Sequence, residues 1–248
     1  MEATPPSSPG VPSVPSRVRR GNPEDHRLLQ AAIVAAARDL FQQGGTEAVT
    51  MQALASSLGR SAMSLYRYFD SKNAVLQELW RVAYAECLLA MRARVEAQKT
   101  PTERHRALLE SFLDFWESRP DYYQLVYRSA GQDSSIERPL PDALMPSYGD
   151  IIALATAITT ELADELGTGH QHVTVATEMR LAFLLGYLQS RFANPRYPWR
   201  DLGVLRAACV DAVMASVVLC LEGRIGSGPP DAPAPANSPP PAPGIGTA

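Results

Sequence analysis

Cysteine is scarce in this sequence, and long uncharged apolar runs are absent. The three cysteines, Cys87, Cys209 and Cys220, are odd in number and far apart, so they form neither a disulfide framework nor a CxxC metal or redox motif. The N-terminus lacks a basic segment followed by an apolar one, and no uncharged apolar run approaches the roughly 18 residues of a membrane-spanning helix. We therefore expect a protein of the reducing cytoplasm that is neither exported nor embedded in a membrane.

Motifs of catalysis and cofactor binding are also missing. The sequence contains no GxSxG, no glycine-rich phosphate loop and no HExxH. His170 and His172 lack a carboxylate or cysteine at metal-site spacing, so we expect a loop and a helix start there. Glu110, Asp114 and Glu117 recur at spacings of three and four, which is typical of a solvated helix face. We predict no enzyme activity, no cofactor and no metal.

The β-pattern of alternating apolar and polar residues recurs nowhere, whereas helical spacing is frequent. With 248 residues, 46% of them hydrophobic, the chain can bury a sizeable core. We predict an all-α fold from Pro23 to about Arg224, between two disordered tails rich in Pro, Ala, Ser and Gly, residues 1–22 and 225–248. The basic segment "RVRR" (17–20) is either part of a solvated tail or an arm that reaches a minor groove or phosphates.

Charge is distributed unevenly along the chain, although the net charge is only −3. Residues 17–72 hold eight Lys and Arg against five Asp and Glu, a net charge of +3. Residues 73–248 hold 15 basic and 20 acidic side chains, a net charge of −5. A modestly basic head on an acidic body suggests that an anionic partner contacts only the head.

The basic head reads as three helices. The first begins at "NPED" (22–25) and ends at "GG" (44–45), and seven apolar residues line one face at helical spacing. These are Leu28, Leu29, Ala32, Ile33, Ala36, Leu40 and Phe41. The second runs from Thr50 as N-cap to Gly59 with Ala53, Leu54 and Leu58 inward, and the third starts at Ser61 with Leu65 and Phe69 inward. Two short helices joined by a glycine turn, with small Ala55 at their contact, predict a helix-turn-helix.

The stretch "SAMSLYRYFDSK" (61–72) has the chemistry of a helix that reads a major groove. Thr50, the hydroxyls of Tyr66 and Tyr68, and Lys72 can reach a sugar-phosphate backbone. Arg67 can pair with guanine, and "AM" (62–63) can contact thymine methyls.

This part of the chain resembles the DNA-binding head of TetR-family transcriptional regulators over the stretch "AAARDLFQQGGTEAVTMQALASSLGRSAMSLYRYFDSKNAVLQEL". The resemblance covers about 50 residues and rests on "LF..GG", "T...LA..LG", "LY.YF" and "SK..L". It implies a two-domain all-α homodimer, with a helix-turn-helix domain over residues 23–72 and an effector-binding and dimerisation domain over 73–224. Carried over by position, Thr50, Tyr66, Tyr68 and Lys72 contact phosphates, and Ala62, Met63, Ser64 and Arg67 face bases. Arg60 and Ser61, at the turn, complete the predicted interface.

One residue departs from the family pattern, and two tyrosines have a second interpretation. Arg60 stands where family members usually carry a small apolar residue, and a buried arginine there would be costly unless its head reaches solvent or phosphate. We expect it to extend toward DNA. Tyr66 and Tyr68 could instead pack between helices, and Arg67 and Lys72 could belong to an ordinary solvated face.

The acidic body is predicted to contain six helices and one long loop. The helices run over residues 71–98, 101–118, 121–129, 147–166, 172–193 and 200–222, with a loop over 130–146. Aromatic residues and one cysteine on the first three could line an effector pocket, or form plain core. They are Trp80, Tyr84, Cys87, Phe112, Phe115, Trp116, Tyr123 and Tyr127. An apolar or aromatic effector is favoured.

The last two predicted helices are apolar nearly all round, in "LAFLLGYL" and "AACVDAVMASVVLCL". Two such helices from each of two subunits would form a four-helix bundle, as the family does, while a buried pair inside a monomer is the alternative. The predicted interface residues are Leu181, Leu184, Leu185, Leu188, Val213, Val217 and Leu221.

Together these features predict a repressor that an effector releases from a palindromic operator in double-stranded DNA. The recognition helices of a dimer would lie about 34 Å apart, one DNA turn, and the effector would change that spacing. The rival interpretation is a helical small-molecule or protein-binding module whose DNA head has lost its function.

Overall fold

The structure, a computed structural model, describes residues 23–128, 145–194 and 196–226. Within these ranges the chain forms nine α-helices and one π-helical turn, with no strand, which confirms the predicted all-α class. The proposed basic arm (17–20), the first helix's predicted capping residue Asn22, most of the loop 130–146 and most of the C-terminal tail lie outside the described residues.

The helices are labelled in chain order. They are α1 Pro23–Ala48, α2 Met51–Ser57, α3 Ala62–Leu65, α4 Lys72–Glu96, α5 Pro101–Glu117, α6 Pro120–Tyr123 with the π-helical turn Gln124–Arg128, α7 Met145–Leu166, α8 Val173–Ala193 and α9 Leu202–Leu221. The chain divides into two compact units between Leu79 and Trp80. This division falls inside α4, since the helix that begins at Lys72 continues past the end of the predicted DNA-binding domain.

Helix α1 is interrupted where the sequence predicts its end. Gly44 and Gly45 have non-helical backbone angles, and Gly45 adopts a φ of 65°, a left-handed conformation that favours glycine. The buried side chains of α1 are Ile33, Ala37 and Phe41, one helical turn apart. The predicted apolar face is wrong at Leu28, which is exposed, because the N-terminal turn of α1 extends beyond the small core that the rest of this face covers.

The core of the N-terminal unit is small and formed by α1, α2, α3 and the segment after α3. Leu54 and Leu65 are completely buried, and Phe69 is nearly so. Ala55 is also buried, as expected where α2 and α3 approach each other. The buried N-terminal residue of α2 is Met51, whereas the predicted inward residues Ala53 and Leu58 are only half-buried.

Helix α5 is the centre of the C-terminal unit and packs against α6, α7, α8 and α9. Its start is defined by a capping box, in which the Thr100 hydroxyl accepts from the Glu103 backbone N–H and the Glu103 carboxylate accepts from the Thr100 backbone N–H. Leu109, Leu113 and Trp116 of α5 are completely buried. Burial of these large side chains from one helix supplies much of the apolar core.

The α5 acidic residues form ion pairs rather than a purely solvated face. Glu117 accepts a hydrogen bond from the Tyr187 hydroxyl at 2.7 Å and one from Arg206 Nε at 3.0 Å, and it also pairs with Arg191. Arg206 reaches Asp114 at 2.5 Å as well. The predicted solvated face is therefore wrong at Glu117, because α8 and α9 bring three donors over that end of α5.

Within the described residues, α9 is the one helix that is long and apolar enough to cross a bilayer by length and composition alone. It carries two charged side chains, and both pair with α5. Arg206 pairs with Glu117, and Asp211 accepts a hydrogen bond from Arg106 at 2.8 Å. Only 33% of the apolar window of α9 is buried within the described structure, so its packing on α5 covers one side of the helix.

Candidate nucleic-acid interface and effector cavity

The helix-turn-helix is held by local hydrogen bonds from its own capping residues. The Thr50 hydroxyl accepts from the Ala53 N–H at 3.0 Å at the start of α2, and the Ser61 hydroxyl accepts from the Ser64 N–H at 3.3 Å at the start of α3. Gly59, with a φ of 62°, makes the turn between them. The two caps fix where α2 and α3 begin, and the glycine turn sets the change of direction between them, as a helix-turn-helix requires.

The predicted DNA-contacting residues lie on the surface of this motif. Met63 is 78% exposed and Tyr66 46% exposed, so both side chains are accessible to a partner. The exposed members of the set are Thr50, Arg60, Ser61, Met63, Tyr66 and Arg67, and the half-buried ones are Ala62, Ser64, Tyr68 and Lys72. Regular helix ends at Leu65, earlier than the sequence suggests, and turns follow over residues 66–68. Contact of these residues with DNA stays a prediction.

Arg60 does not disturb the packing of the turn. Its backbone N–H donates to the Ala55 carbonyl at 2.9 Å, while its side chain is exposed. The cost of burying a guanidinium therefore does not arise at this position.

Tyr68 has a ring contact that the sequence pattern did not reveal. The imidazole of His26 in α1 lies 4.6 Å from the Tyr68 ring, centroid to centroid, at an interplanar angle of 37°. This contact holds one predicted phosphate-contacting tyrosine against α1. The half-buried state of Tyr68 agrees with both interpretations given above, phosphate contact and packing between helices.

A cavity of about 260 Å³ lies within the C-terminal unit. Helices α4, α5, α7 and α8 and the π-helical turn provide its lining residues. These are Tyr84, Met91, Leu108, Leu109, Phe112, Trp116, Tyr127, Tyr148, Ile151, Ile152, Ala155, Thr177, Glu178, Arg180, Leu181 and Leu184. A mostly apolar cavity with a few polar groups is the usual form of a small-molecule site.

Four of the eight predicted pocket residues line this cavity: Tyr84, Phe112, Trp116 and Tyr127. The other four, Trp80, Cys87, Phe115 and Tyr123, are buried in the core but are not among the lining residues, so the structure corrects their placement. Sequence reasoning missed the contribution of α7 and α8 entirely. No motif marks those positions, because helical spacing alone does not tell which apolar face meets a cavity.

Aromatic side chains make the α5 wall of the cavity rigid. The Trp116 ring packs edge to face against Phe115 at 5.0 Å, Tyr127 at 5.2 Å and Tyr84 at 6.2 Å. Burial raises the pKa of Tyr84 and of Tyr127 well above the ordinary value for a phenol. Both phenols are therefore neutral at physiological pH and add no negative charge to the cavity.

Residues 33–79, which include the helix-turn-helix, match the bacterial regulatory proteins of the tetR family. This match lies within the N-terminal unit and covers less than half of the chain.

One curated relative of the chain is the HTH-type transcriptional activator FasR of Mycolicibacterium smegmatis. It is 30% identical over 113 residues, which are 45% of this chain and 51% of FasR. The chain thus matches about half of that relative's length.

Two solved structures share the fold of this chain. A protein of unknown function from Rhodococcus sp. RHA1 has a TM-score of 0.63 and 18% identity, covering 76% of this chain and 94% of that one. The regulator FadR from Bacillus subtilis, in complex with stearoyl-CoA, has a TM-score of 0.56 and 14% identity. The match covers 75% of this chain and 97% of FadR. At these identities the likeness concerns the fold.

The predicted dimer residues are mostly buried inside the single chain. Leu184, Leu188, Val213, Val217 and Leu221 face the core, Leu181 lines the cavity and Leu185 is half-buried. The prediction selected the wrong face, because α8 and α9 use their larger aliphatic side chains to pack on each other and on α5. Another face of both helices is exposed and is rich in small and apolar residues, although Glu178, Gln189 and Asp211 are exposed there as well. It comprises Val175, Ala182, Phe183 and Gly186 on α8, and Val204, Ala208, Ala212 and Ala215 on α9.

The histidine pair of the predicted loop has separate roles. His170 Nε2 lies 2.6 Å from Asp164 Oδ1, and His172 is the capping residue of α8 without a side-chain hydrogen bond to the helix. No group of three or more His, Cys, Asp or Glu side chains in the described part of the chain could hold a metal ion.

Proposed function

We propose that this chain is a regulator of the tetR family that binds specific sequences of double-stranded DNA, acting as a homodimer under the control of a small molecule. The N-terminal unit would bind DNA and the cavity of the C-terminal unit would bind the effector. The regulator would act in the cytoplasm.

The observation that carries this proposal is the exposure of Met63, Tyr66 and Arg67 on a capped helix-turn-helix. These side chains have the shapes and donors that base edges and phosphates accept. Thr50 and Lys72, at the starts of α2 and α4, would add phosphate contacts. The net charge of +3 over residues 17–72 supports an anionic partner at this end.

Selection of bound sequences from random duplex DNA tests the proposal. We expect the full chain to enrich a palindrome whose half-sites lie about 34 Å apart. A variant carrying Arg67→Ala and Tyr66→Phe should lose the enrichment, because loss of an arginine pair with guanine costs about 1–3 kcal/mol. Arg92→Ala, an exposed arginine of α4, is the matched control and should recover the same palindrome.

Absence of enrichment at low salt would contradict the proposal. The chain would then be a helical binding module with a non-functional DNA head. A DNA affinity that falls with rising salt also separates the two functions, because phosphate contacts release counterions and small-molecule binding does not.

The proposed dimer interface is the exposed face of α8 and α9 defined above. Gly186 supports a close approach by another helix, because a Cβ at this position would meet no atom of the described residues within 4 Å. A glycine in the middle of a helix costs about 1 kcal/mol relative to alanine, and the packing of the described residues does not require one here. Two copies of this face would form the four-helix bundle.

Ala212→Arg is expected to shift the protein from dimer to monomer. A two-fold interface would receive two unpaired guanidinium groups, and burying them costs several kcal/mol, so the dissociation constant should rise roughly 100-fold or more. Analytical ultracentrifugation measures this shift against the chain mass of 26.9 kDa. Ala93→Arg, on an exposed position of α4, is the control. Unchanged dimer mass in the Ala212 variant would place the interface elsewhere.

We propose that effector binding releases the regulator from its operator, so that it acts as a repressor. The relative FasR is named an activator, which favours activation as the second candidate. A reporter gene placed under the selected operator decides between them. Higher expression after deletion of the regulator supports repression, and lower expression supports activation.

A further inference from the structure

The cavity contains a buried guanidinium. Arg180 of α8 lines the cavity and is only 5% exposed. Its Nη1 atom has no hydrogen-bond partner among the described residues. Buried charges in proteins are normally paired, since an unpaired one loses its hydration without compensation. Arg180 therefore presents an unused hydrogen-bond donor and a positive charge in the C-terminal unit.

The charge on Arg180 persists despite burial. Burial lowers the pKa of Arg180 to about 10, which is still well above neutral pH. His105 of α5 adds no second positive charge, since burial and the positive charge of Arg180 lower the pKa of His105 to about 3 and the imidazole is neutral. The cavity thus contains a persistent positive charge with no negative phenolate nearby.

A second polar group accompanies Arg180 on the same face of α8. The hydroxyl of Thr177, one turn earlier and 9% exposed, also lines the cavity and has no hydrogen-bond partner within the described ranges. Buried hydroxyl groups are rarely left without a partner. A guanidinium and a hydroxyl at this spacing can both donate to one planar acceptor.

The rest of the wall is apolar or aromatic apart from one acid. Glu178 is the single acidic residue of the lining and is exposed to solvent. Leu109, Phe112, Trp116 and Ile151 form part of the apolar surface. A molecule that matches these surroundings has an apolar body and one anionic group.

We propose that the cavity binds an organic carboxylate with a compact aliphatic or aromatic body, whose carboxylate pairs with Arg180 and accepts a hydrogen bond from Thr177. This inference rests on the proposed function in one respect, that the occupant of the cavity is the effector. It adds the charge and the polar group by which the effector is recognised.

Calorimetric titration of the full chain with matched probe pairs tests this inference. The pairs are decanoate with 1-decanol, and 2-naphthoate with 2-naphthamide. We expect at least one carboxylate to bind about 10-fold to 100-fold more tightly than its neutral partner, as is typical for a hydrogen bond to a charged group. Equal affinities within both pairs would overturn the proposal.

Two variants locate the effect. Arg180→Met should abolish the preference for the carboxylate, and Thr177→Val should reduce it while leaving part of it, since Arg180 is still present. A preference that survives in Arg180→Met would show that another group recognises the anion and would overturn the assignment.

A measurement without any ligand keeps the proposal testable even if the probes are the wrong size. Because Arg180 is buried and its Nη1 atom has no hydrogen-bond partner among the described residues, Arg180→Met should raise the midpoint of thermal unfolding of the free protein, since an apolar side chain of similar length replaces a charged group that has lost its hydration. A lowered midpoint would show that Arg180 is paired within the protein, and would overturn the inference whether or not a probe binds.

The binding experiments contain no DNA, so they separate this inference from the proposed function. Selective carboxylate binding by a chain that enriches no DNA sequence would leave the cavity assignment intact and remove the regulator. Enrichment of a palindrome together with equal binding of acid and neutral probes would support the regulator and overturn the cavity assignment.

Discussion

Trp116→Ala is expected to lower the free energy of unfolding by about 3–5 kcal/mol. Trp116 is completely buried in α5 and contacts aromatic rings from three segments of the C-terminal unit, including Tyr84 and Tyr127. Its indole Nε1 has no hydrogen-bond partner among the described residues. The loss is therefore one of packing, as truncation leaves a cavity that the rigid helices cannot close. Urea unfolding followed by circular dichroism, at fixed protein concentration, measures it.

Trp199→Ala is the matched control for this change. Trp199 lies in the segment that joins α8 to α9 and is half-buried. Its ring centroid is 4.4 Å from that of Tyr197. Because it lies outside the core of α5, its truncation should cost clearly less than that of Trp116. A loss below about 1 kcal/mol for Trp116→Ala would mean that the aromatic cluster is not a tightly packed core.

The stability of the protein should fall as the pH drops below 6.5, and His105 is expected to cause a large part of this. Burial, assisted by the charge of Arg180, lowers the pKa of His105 from 6.5 to about 3 in the folded state. Below pH 6.5 the unfolded chain binds a proton at this residue that the folded chain refuses. The contribution of neutral His105 to the free energy of unfolding is therefore fully present above pH 6.5 and is lost progressively as the pH falls toward 3.

The expected loss from His105 is about 2 kcal/mol between pH 7.5 and pH 5.0, from a slope that approaches about 1.4 kcal/mol per pH unit. Urea unfolding of the wild type and of His105→Gln over this range isolates the effect. In the variant, the free energy of unfolding should change less steeply with pH, by an amount that corresponds to nearly one bound proton. This difference in slope does not depend on the absolute stability of the variant. His26→Gln, at an exposed histidine of α1, is the control variant and is measured over the same range. Parallel curves for wild type and His105→Gln would show that the folded protein accepts the proton.

Local signals made the DNA-binding head predictable. Caps, turns and short-range spacing depend on residues three or four apart, so Thr50, Ser61 and Gly59 could be placed from the sequence alone. The buried Leu65 and Phe69 also follow from local spacing, because only one side of so short a segment can face the rest of the unit. The length of the regular part of α3 could not be derived, since tertiary packing decides where a short helix ends.

The C-terminal unit was predictable in its elements but not in its faces. The limits of α5, α8 and α9 lie within two residues of those expected, because apolar periodicity and capping residues mark them. Which side of α8 would face inward could not be derived, since Leu184 and Phe183 are both large and apolar and only one of them is buried.

By itself, the sequence determined the all-α class, the helix-turn-helix and the chemistry of its exposed residues, because each depends on interactions within a few residues of chain. Only the tertiary structure decided that Glu117 meets Arg191 and Arg206, that Leu188 and Val217 face the core, and that Arg180 lies beside Thr177 in an apolar cavity. The physical reason is that burial and pairing depend on how helices far apart in sequence are arranged around α5. Periodicity identifies an apolar face but contains no information about its partner.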